Sequence, residues 1–186
     1  MAADRHIIKG IYAITPEEAD SKVLVEKVEN CIRGGANLIQ YRAKQLSEDL
    51  KYIQAEYLKK LCDKHNTPLI INDDVELCLH LNAFGVHLGA KDDNLTTARK
   101  LLGPDKIIGI SCYNDWKRVE KAVDGKADYI ALGACFPSLT KPAAPQVKLQ
   151  MIAEIIKKYR IPVVAVGGID LKNVDLLIQQ GVECVA

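Results

Sequence analysis

Apolar and polar positions follow two alternating patterns along the chain. Short apolar runs of strand length are followed by segments in which apolar residues recur every three or four positions, which predicts strands followed by amphipathic helices. The predicted strands cover residues 10–15, 36–44, 68–73, 85–89, 106–111, 128–134, 162–168 and 182–186. The predicted helices cover about residues 21–33, 47–65, 77–82, 94–102, 116–123, 149–159 and 171–180.

Helical spacing also predicts which faces are buried. In the first helix the apolar stripe consists of Leu24, Val28, Cys31 and Ile32. In the second helix it consists of Leu50, Ile53, Tyr57, Leu58 and Leu61, and Ser47 is the residue expected to cap its start.

The order of elements predicts the fold class. Apolar strands that are each followed by an amphipathic helix indicate an all-parallel sheet. Eight such units favour a closed (β/α)8 TIM barrel over an open sheet, and we expect one domain over residues 1–186. The sequence contains no eighth helix after the last strand, so we expect a TIM barrel that lacks it.

Composition and charge exclude several classes of function. The formal net charge of +1 gives no overall attraction to nucleic acid or to a membrane surface. The first six residues are too polar for a signal peptide, and the six cysteines are scattered without a C-x-x-C pair. We therefore expect a cytoplasmic protein with reduced, buried thiols, which acts on small molecules, and whose oligomeric state, homo-oligomer or monomer, is left open.

The end of the second strand carries the most informative polar pattern. Because side chains alternate along a strand, Gln40, Arg42 and Lys44 share one face. Two cations and an amide suit an anion with several oxygens, such as a diphosphate. The alternative is an edge strand with a solvated basic face.

Polar residues also follow the other strands, and the active site of such a barrel lies at these carboxyl ends. They are Asn72, Asp73, Asp92, Ser111, Ser138, Thr140, Lys141, Gly167 and Gly168. Carboxylates from two adjacent strand ends, Asp73–Asp74 and Asp92–Asp93, can share a hard cation such as Mg²⁺. We expect the glycine pair to hold a phosphate through backbone N–H groups before a helix start.

Each of these residues has a purely structural alternative. Asp73 with Glu76, and likewise Asp92, could cap the helix that follows. The glycine pair could serve only a tight turn, and His87 is better explained as a hydrogen-bonded core residue than as a ligand.

Seven segments of the chain together resemble the thiamine phosphate synthase family. They are Gly10–Thr15, Gln40–Lys44, Ile71–Asp73, Gly85–Gly89 with Asp92, Ile108–Ser111, Phe136–Lys141 and Val166–Ile169. The resemblance implies that the chain couples hydroxymethylpyrimidine diphosphate with hydroxyethylthiazole phosphate, which gives thiamine phosphate and pyrophosphate, with Mg²⁺ as cofactor.

The resemblance also implies a role for each site residue. Gln40, Arg42, Lys44 and Asn72 bind the pyrimidine diphosphate, and Asp73 and Asp92 bind Mg²⁺. Lys141 serves the diphosphate, and the hydroxyls of Ser138 and Thr140 serve the thiazole phosphate. Ser111 matches the serine of the family's fifth strand, with a catalytic and substrate-binding role, and Gly167 and Gly168 match its substrate-binding glycine pair.

Two rival functions remain open. A related thiazole tautomerase on the same barrel uses a histidine two residues after the serine of the fifth strand, where this chain has Tyr113. The other rival is a non-catalytic barrel, because the family continues beyond Ala186 into further thiazole phosphate contacts and an eighth helix.

Overall fold

Strands and helices alternate through the whole structure. The computed structural model describes residues 5–89, 95–138 and 144–186. The strands are β1 (Gly10–Ile14), β2 (Ala36–Tyr41), β3 (Leu69–Asn72), β4 (Gly85–Leu88), β5 (Ile107–Tyr113), β6 (Tyr129–Gly133), β7 (Val163–Val166) and β8 (Cys184–Val185). The helices are α1 (Ser21–Arg33), α2 (Glu48–Lys64), α3 (Val75–His80), α4 (Leu95–Leu102), α5 (Trp116–Asp124), α6 (Leu149–Tyr159) and α7 (Val174–Ile178), after a 3₁₀ turn at Arg5–Ile7.

The eight strands form a closed parallel barrel in chain order, from β1 to β8 and back to β1. Every neighbouring pair is parallel, and the ring closes where Gly10 pairs with Cys184. The predicted TIM barrel is therefore confirmed. Most strands are covered on both faces, by the barrel interior and by the helices, which explains the nearly continuous apolar runs of the sequence.

Side chains alternate between the inside of the barrel and the helical layer. The interior contains one buried cluster with Tyr12, Leu38, Ile70, Tyr129 and Val164 among its members. The intervening strand residues face outward and form two larger clusters with the helices. This alternation confirms that Gln40 faces inward while its neighbours Ile39 and Tyr41 pack outward.

Most helices begin at a polar cap that the sequence supplies. Asp20 accepts hydrogen bonds from two N–H groups of the first turn of α1, and Ser47 accepts one from Leu50 of α2, as expected. Asp115 caps α5 in the same way. Within the described part of the chain, none of these helices is both long and apolar enough to cross a membrane.

The predicted buried face of α2 is partly wrong. Leu58 and Leu61 are buried, but Ile53 and Tyr57 are about half exposed, at 47% and 50%. Gln54 is buried instead, because it accepts a hydrogen bond from the Tyr41 hydroxyl and donates one to the Glu18 carbonyl. A buried amide with both ends bonded is stable inside a protein, and apolar periodicity cannot reveal it.

Cysteine burial is predicted correctly except at one position. Five of the six cysteines are buried free thiols, whereas Cys31 is exposed on α1. Only Leu24 and Val28 of the predicted α1 stripe are fully buried. The stripe is therefore narrower than the sequence pattern suggests.

The last predicted helix is shorter than expected. α7 covers Val174–Ile178 instead of 171–180, and the residues before it form turns. Ile178 of α7 and Ile11 of β1 are exposed at 57% and 52%. The described residues thus contain seven helices around eight strands, and an apolar surface is open beside β1 and α7.

Candidate active site

A cavity of about 600 Å³ opens at the carboxyl ends of the strands. The structure brings eight of the sequence-predicted site residues to its wall: Gln40, Arg42, Lys44, Asn72, Asp73, Ser111, Ser138 and Gly167. These residues come from strands or following loops all around the barrel. The site therefore forms only when the sheet closes, because its residues come from strands on different sides of the barrel.

The end of β2 is held in place by the segment that follows β1. The Thr15 hydroxyl accepts a hydrogen bond from the Arg42 N–H and donates one to the Arg42 carbonyl, at 2.9 and 3.3 Å. The Glu17 carboxylate accepts the N–H groups of Lys44 and Gln45, at 3.1 and 2.8 Å. These bonds fix the backbone from which both cations extend. Sequence reasoning missed Thr15 and Glu17, because their partners lie on another strand.

The hydrogen bonds to Glu17 also affect its ionisation. The Gln45 N–H outweighs the opposing effect of burial, and with the N–H of Lys44 and the charge of Arg42 it lowers the pKa of the Glu17 carboxyl. The lowered pKa favours the carboxylate form of Glu17, which is the form that accepts both N–H groups.

Asp73 lies at the centre of the polar groups that follow β3. Its Oδ2 accepts hydrogen bonds from Lys44 Nζ at 2.9 Å and Asn72 Nδ2 at 2.8 Å. Its Oδ1 accepts the Gly89 N–H at 2.9 Å. Burial acts to raise the pKa of Asp73, but the bond and charge of Lys44, with these two donors, lower it overall.

The suggestion that Asp73 caps the third helix is wrong. The cap of α3 is Asp74, whose side chain accepts the Leu77 N–H at 2.8 Å. Asp73 itself has a φ of +62°, a left-handed conformation that is uncommon for a residue other than glycine. This turn separates the two carboxylates, so that one stabilises a helix start and the other points to the cavity.

The donor set around Asp73 is compatible with Mg²⁺. Mg²⁺ is usually bound by one or two carboxylates together with substrate phosphates and water, so a cage of several protein carboxylates is not required. Within residues 5–89, 95–138 and 144–186, no three acidic, histidine or cysteine side chains cluster as a metal site. The Asp73 carboxylate accepts three hydrogen bonds and has about four lone-pair positions, so it retains capacity for a ligand.

A chain of buried and partly buried hydrogen bonds crosses the barrel at the base of the cavity, and all of its members except Tyr129 line the cavity. Gln40 Nε2 lies 3.0 Å from the Tyr12 hydroxyl, which lies 2.9 Å from the Tyr129 hydroxyl. The Tyr129 hydroxyl lies 2.9 Å from His87 Nδ1, and His87 Nε2 lies 2.9 Å from Ser111 Oγ. We call these five residues the polar chain. It links β2 to β5 through β1, β6 and β4.

Burial governs ionisation in the middle of the polar chain. It lowers the pKa of His87 to about 4, against a small opposing effect of Asp73. It also raises the pKa of both Tyr12 and Tyr129 well above the usual tyrosine range. All three side chains are therefore neutral at pH 7, and the prediction that His87 is a hydrogen-bonded core residue is confirmed.

The end of β5 adds two residues that the sequence did not single out as ligand contacts. Tyr113 has a φ of +54° and is half exposed beside the cavity. The Arg118 guanidinium lies 5.6 Å from the centre of its ring, and both side chains line the cavity. Arg118 is on α5, where no sequence signal separates it from an ordinary surface cation.

The glycine pair after β7 is placed differently from the prediction. Gly167 and Gly168 have φ values of +99° and +68°, and a Cβ on Gly168 would lie 2.4 Å from the Phe136 carbonyl oxygen. The helix that was expected to follow them from Leu171 begins only at Val174, so the glycine pair is not at a helix start. Glycine is required here by the turn and by the close approach of the chain after β6. Only Gly167 lines the cavity.

Three predicted site residues, Asp92, Thr140 and Lys141, lie outside the described residues. Their flanks are described: Gly89 lies at the cavity wall before the first gap, and Ser138 lies there before the second. The predictions for all three residues remain open.

Comparison with known proteins places the chain among proteins of one function. A family model described as thiamine monophosphate synthase matches residues 11–186. The chain belongs to the thiamine monophosphate synthase family. Over 179 residues it is 48% identical to a thiamine-phosphate synthase of Methylobacillus flagellatus, a match that covers 96% of this chain and 85% of the relative. The resemblance drawn from the sequence is thereby confirmed.

The fold comparison agrees with the sequence comparison. A thiamine phosphate pyrophosphorylase from Pyrococcus furiosus superposes with a TM-score of 0.86 and 31% identity, over 98% of this chain and 86% of the other. A 3-dehydroquinate dehydratase from Geobacillus kaustophilus has a TM-score of 0.71 but only 13% identity, over 96% of this chain and 81% of the other. That second likeness shows only a shared barrel, so the family assignment depends on the sequence matches.

Proposed function

We propose that the chain is a transferase that couples hydroxymethylpyrimidine diphosphate with hydroxyethylthiazole phosphate, releasing pyrophosphate and giving thiamine phosphate. The observation that carries the proposal is the cavity wall, where the cations Arg42 and Lys44, the carboxylate of Asp73 and the Ser111 hydroxyl face one space. The family to which the chain belongs supports the same reaction.

The charges suit a reaction in which pyrophosphate leaves. In the proposed mechanism the bond from the pyrimidine methylene to the diphosphate oxygen breaks first, and the amino group of the ring delocalises the cation that remains. The thiazole nitrogen then forms the new C–N bond. The protein has little proton transfer to perform, so its main contribution is to stabilise the charge that builds on the leaving group.

We assign that contribution to Arg42, Lys44 and Lys141, with Ser111 as a neutral donor. Lys44 is 51% exposed and its partner Asp73 is 30% exposed, so their ion pair is weak enough to be exchanged for a ligand. The hydrogen bonds that Thr15 and Glu17 accept from the backbone after β2 keep the end of this strand in position during that exchange. Gln40 and Asn72 are assigned to the pyrimidine diphosphate.

We assign the thiazole phosphate to the opposite side of the cavity. Ser138 and Gly167 line that part of the wall. Thr140 and Gly168 complete the proposed contacts. The positive φ values of the glycine pair turn the chain at the cavity wall, where Gly167 lies, and backbone N–H groups in such turns commonly bind phosphate.

We assign Mg²⁺ to Asp73 and Asp92. When bound, Mg²⁺ would supply further charge stabilisation to the diphosphate. The retained lone-pair capacity of the Asp73 carboxylate supports this assignment, and the hydrogen bonds from Asn72 and Gly89 orient that carboxylate toward the cavity.

The direct test mixes the purified chain with both substrates and Mg²⁺ and follows thiamine phosphate by thiochrome fluorescence. We expect product that depends on Mg²⁺, with a chelator-treated sample as the control. Absence of product under all conditions would overturn the proposal. If the pyrimidine diphosphate still bound in a calorimetric titration, the failure would lie in the thiazole half of the site and the non-catalytic alternative would gain support.

A further inference from the structure

We propose that Tyr12, Tyr129 and His87 are positioning residues that give the polar chain one direction, so that the Ser111 hydroxyl donates its proton into the cavity. None of the three is among the residues assigned to substrate or metal above. The inference of a fixed direction rests on the hydrogen bonds alone, whereas its effect on turnover rests on the proposed function.

The direction follows from counting donors, starting at Gln40. Its side-chain N–H donates to the Tyr12 oxygen, and in the proposed direction the Tyr12 proton goes to its other hydrogen-bonded neighbour, Tyr129. The Tyr129 proton has one remaining acceptor, His87 Nδ1. Each hydroxyl thus receives one hydrogen bond and gives one.

The same donor-to-acceptor direction continues through the His87 imidazole to Ser111. A neutral imidazole has one N–H and one acceptor nitrogen. Because Nδ1 accepts from Tyr129, the proton resides on Nε2, and Nε2–H donates to Ser111 Oγ. The Ser111 hydroxyl proton is then not used by the polar chain. Since Ser111 lines the cavity, it can donate to an acceptor on a bound ligand, such as a diphosphate oxygen.

Packing around the polar chain opposes a reversal of its donor-to-acceptor direction. Tyr129 and Tyr12 are 0% and 2% exposed, so bulk water does not compete for their hydroxyls. The Tyr129 ring stacks on His87 with 5.5 Å between ring centres. A Cβ on Gly109 would lie 2.0 Å from Cζ of Tyr129, so a glycine is required for the ring to occupy this place. A buried hydroxyl that loses its acceptor is unfavourable, which makes one order more stable than a mixture.

The order predicts an observable that does not depend on activity. In the ligand-free protein, two-bond ¹H–¹⁵N spectra of the histidine rings should show His87 as the Nε2–H tautomer. The chain has only four histidines, so the His87 signals can be assigned by their loss in His87→Gln. An Nδ1–H tautomer would reverse the order, make Ser111 a donor to His87, and overturn the proposal.

A double-mutant cycle tests the consequence for turnover. We expect Ser111→Ala to lower kcat by roughly 10²- to 10³-fold, as for other lost donors to a developing negative charge. Tyr129→Phe keeps the ring but removes the link to His87, and should lower kcat by about 10- to 100-fold with a smaller change in KM. The double variant should be no slower than Ser111→Ala alone, because Tyr129 acts through Ser111.

The matched control is Tyr41→Phe. Tyr41 is equally buried and its hydroxyl also donates one hydrogen bond, to Gln54 Oε1 at 3.0 Å, but it lies outside the barrel interior. We expect its kcat to stay within about threefold of the unmodified chain. If Tyr41→Phe and Tyr129→Phe lowered kcat equally, or if the losses in the cycle multiplied, Tyr129 would have only a structural role. An unmodified chain without activity would count against the proposed function and leave the tautomer test intact.

Discussion

The two ends of the barrel use charged residues in opposite ways. At the amino ends of the strands, the Asp128 carboxylate is only 7% exposed and accepts hydrogen bonds from Arg5, Arg99 and the Ile108 N–H. At the carboxyl ends, Lys44 and Asp73 form a half-exposed pair beside an open cavity. Charges that are fully bonded within the protein stabilise the fold, whereas charges that face a cavity remain available to a ligand.

Arg99 shows how complete the bonding is at the amino end. Besides Asp128, its guanidinium donates to the carbonyl oxygens of Gly103 and Lys106, at 2.9 and 2.7 Å. It therefore closes the loop between α4 and β5 against the start of β6. This matches the general division of TIM barrels into a stability face and an active face.

The largest expected effect separates two adjacent carboxylates. Asp73→Asn should lower Mg²⁺-dependent kcat/KM by at least about 10²-fold with the free energy of unfolding nearly unchanged, because its surface ion pair contributes about 1 kcal/mol or less. Asp74→Ala should do the opposite: it removes a helix cap worth about 1 kcal/mol and leaves turnover nearly unchanged. Steady-state kinetics and urea denaturation of both variants measure the difference. Equal losses of activity would show that the two carboxylates are not separated in this way.

The next largest effect is expected at the amino ends of the strands, where Asp128 is buried. Asp128→Ala leaves Arg99 without its buried partner, and we expect the free energy of unfolding to fall by about 3 kcal/mol or more. Below the unfolding transition kcat/KM should be retained. Asp63→Asn is the control, since Asp63 is 61% exposed and pairs with Lys59 on the surface of α2. Its effect should stay within about 0.5 kcal/mol. A large loss of activity in folded Asp128→Ala would contradict the division between the two ends.

A third effect concerns the pH dependence of stability and arises from His87, which is buried and uncharged inside the barrel. The unfolded chain protonates His87 as the pH falls below 6.5, but the folded chain does so only near pH 4. The unfolded state therefore binds more protons in this range, and stability falls with falling pH by up to about 1.4 kcal/mol per pH unit. Between pH 6.5 and about pH 5 the loss should reach roughly 2 kcal/mol. Urea denaturation at several pH values should show a flatter dependence for His87→Gln than for the unmodified chain.

The smallest expected effect concerns Glu17, at the carboxyl ends of the strands. Glu17→Gln keeps the shape of the side chain but weakens its bonds to the Lys44 and Gln45 N–H groups. We expect a loss of a few-fold in kcat/KM, since a charged acceptor is worth about 1 kcal/mol more than a neutral one. Glu18→Gln is the neighbouring control, because Glu18 pairs with Lys27 on the surface. No difference between the two variants would mean that the backbone after β2 is positioned without Glu17.

Much of the fold could be read from local pattern. Eight apolar runs and the intervening helical stripes predict the barrel, because a parallel strand must be apolar on both faces. The periodicity of apolar residues predicted the wrong buried face for part of α2, where Gln54 is buried and Tyr57 is exposed. It also placed the start of the last helix at Leu171, three residues before the observed start at Val174. In both cases hydrogen bonds to distant residues or close backbone contacts override apolar periodicity.

Alternation along a strand is local geometry, so the apolar and polar pattern predicts the barrel and the inward face of Gln40. The prediction that strand alternation extends to Arg42 and Lys44 is wrong, because β2 ends at Tyr41, and both side chains reach the cavity from the segment that follows the strand. The tertiary structure decides that Asp74 and not Asp73 caps α3, and that Thr15 and Glu17 hold the end of β2. It alone decided the polar chain, whose five residues come from five different strands. Closure of the sheet brings the bonded atoms of each successive pair to 2.9–3.0 Å, and no spacing along the sequence encodes these distances.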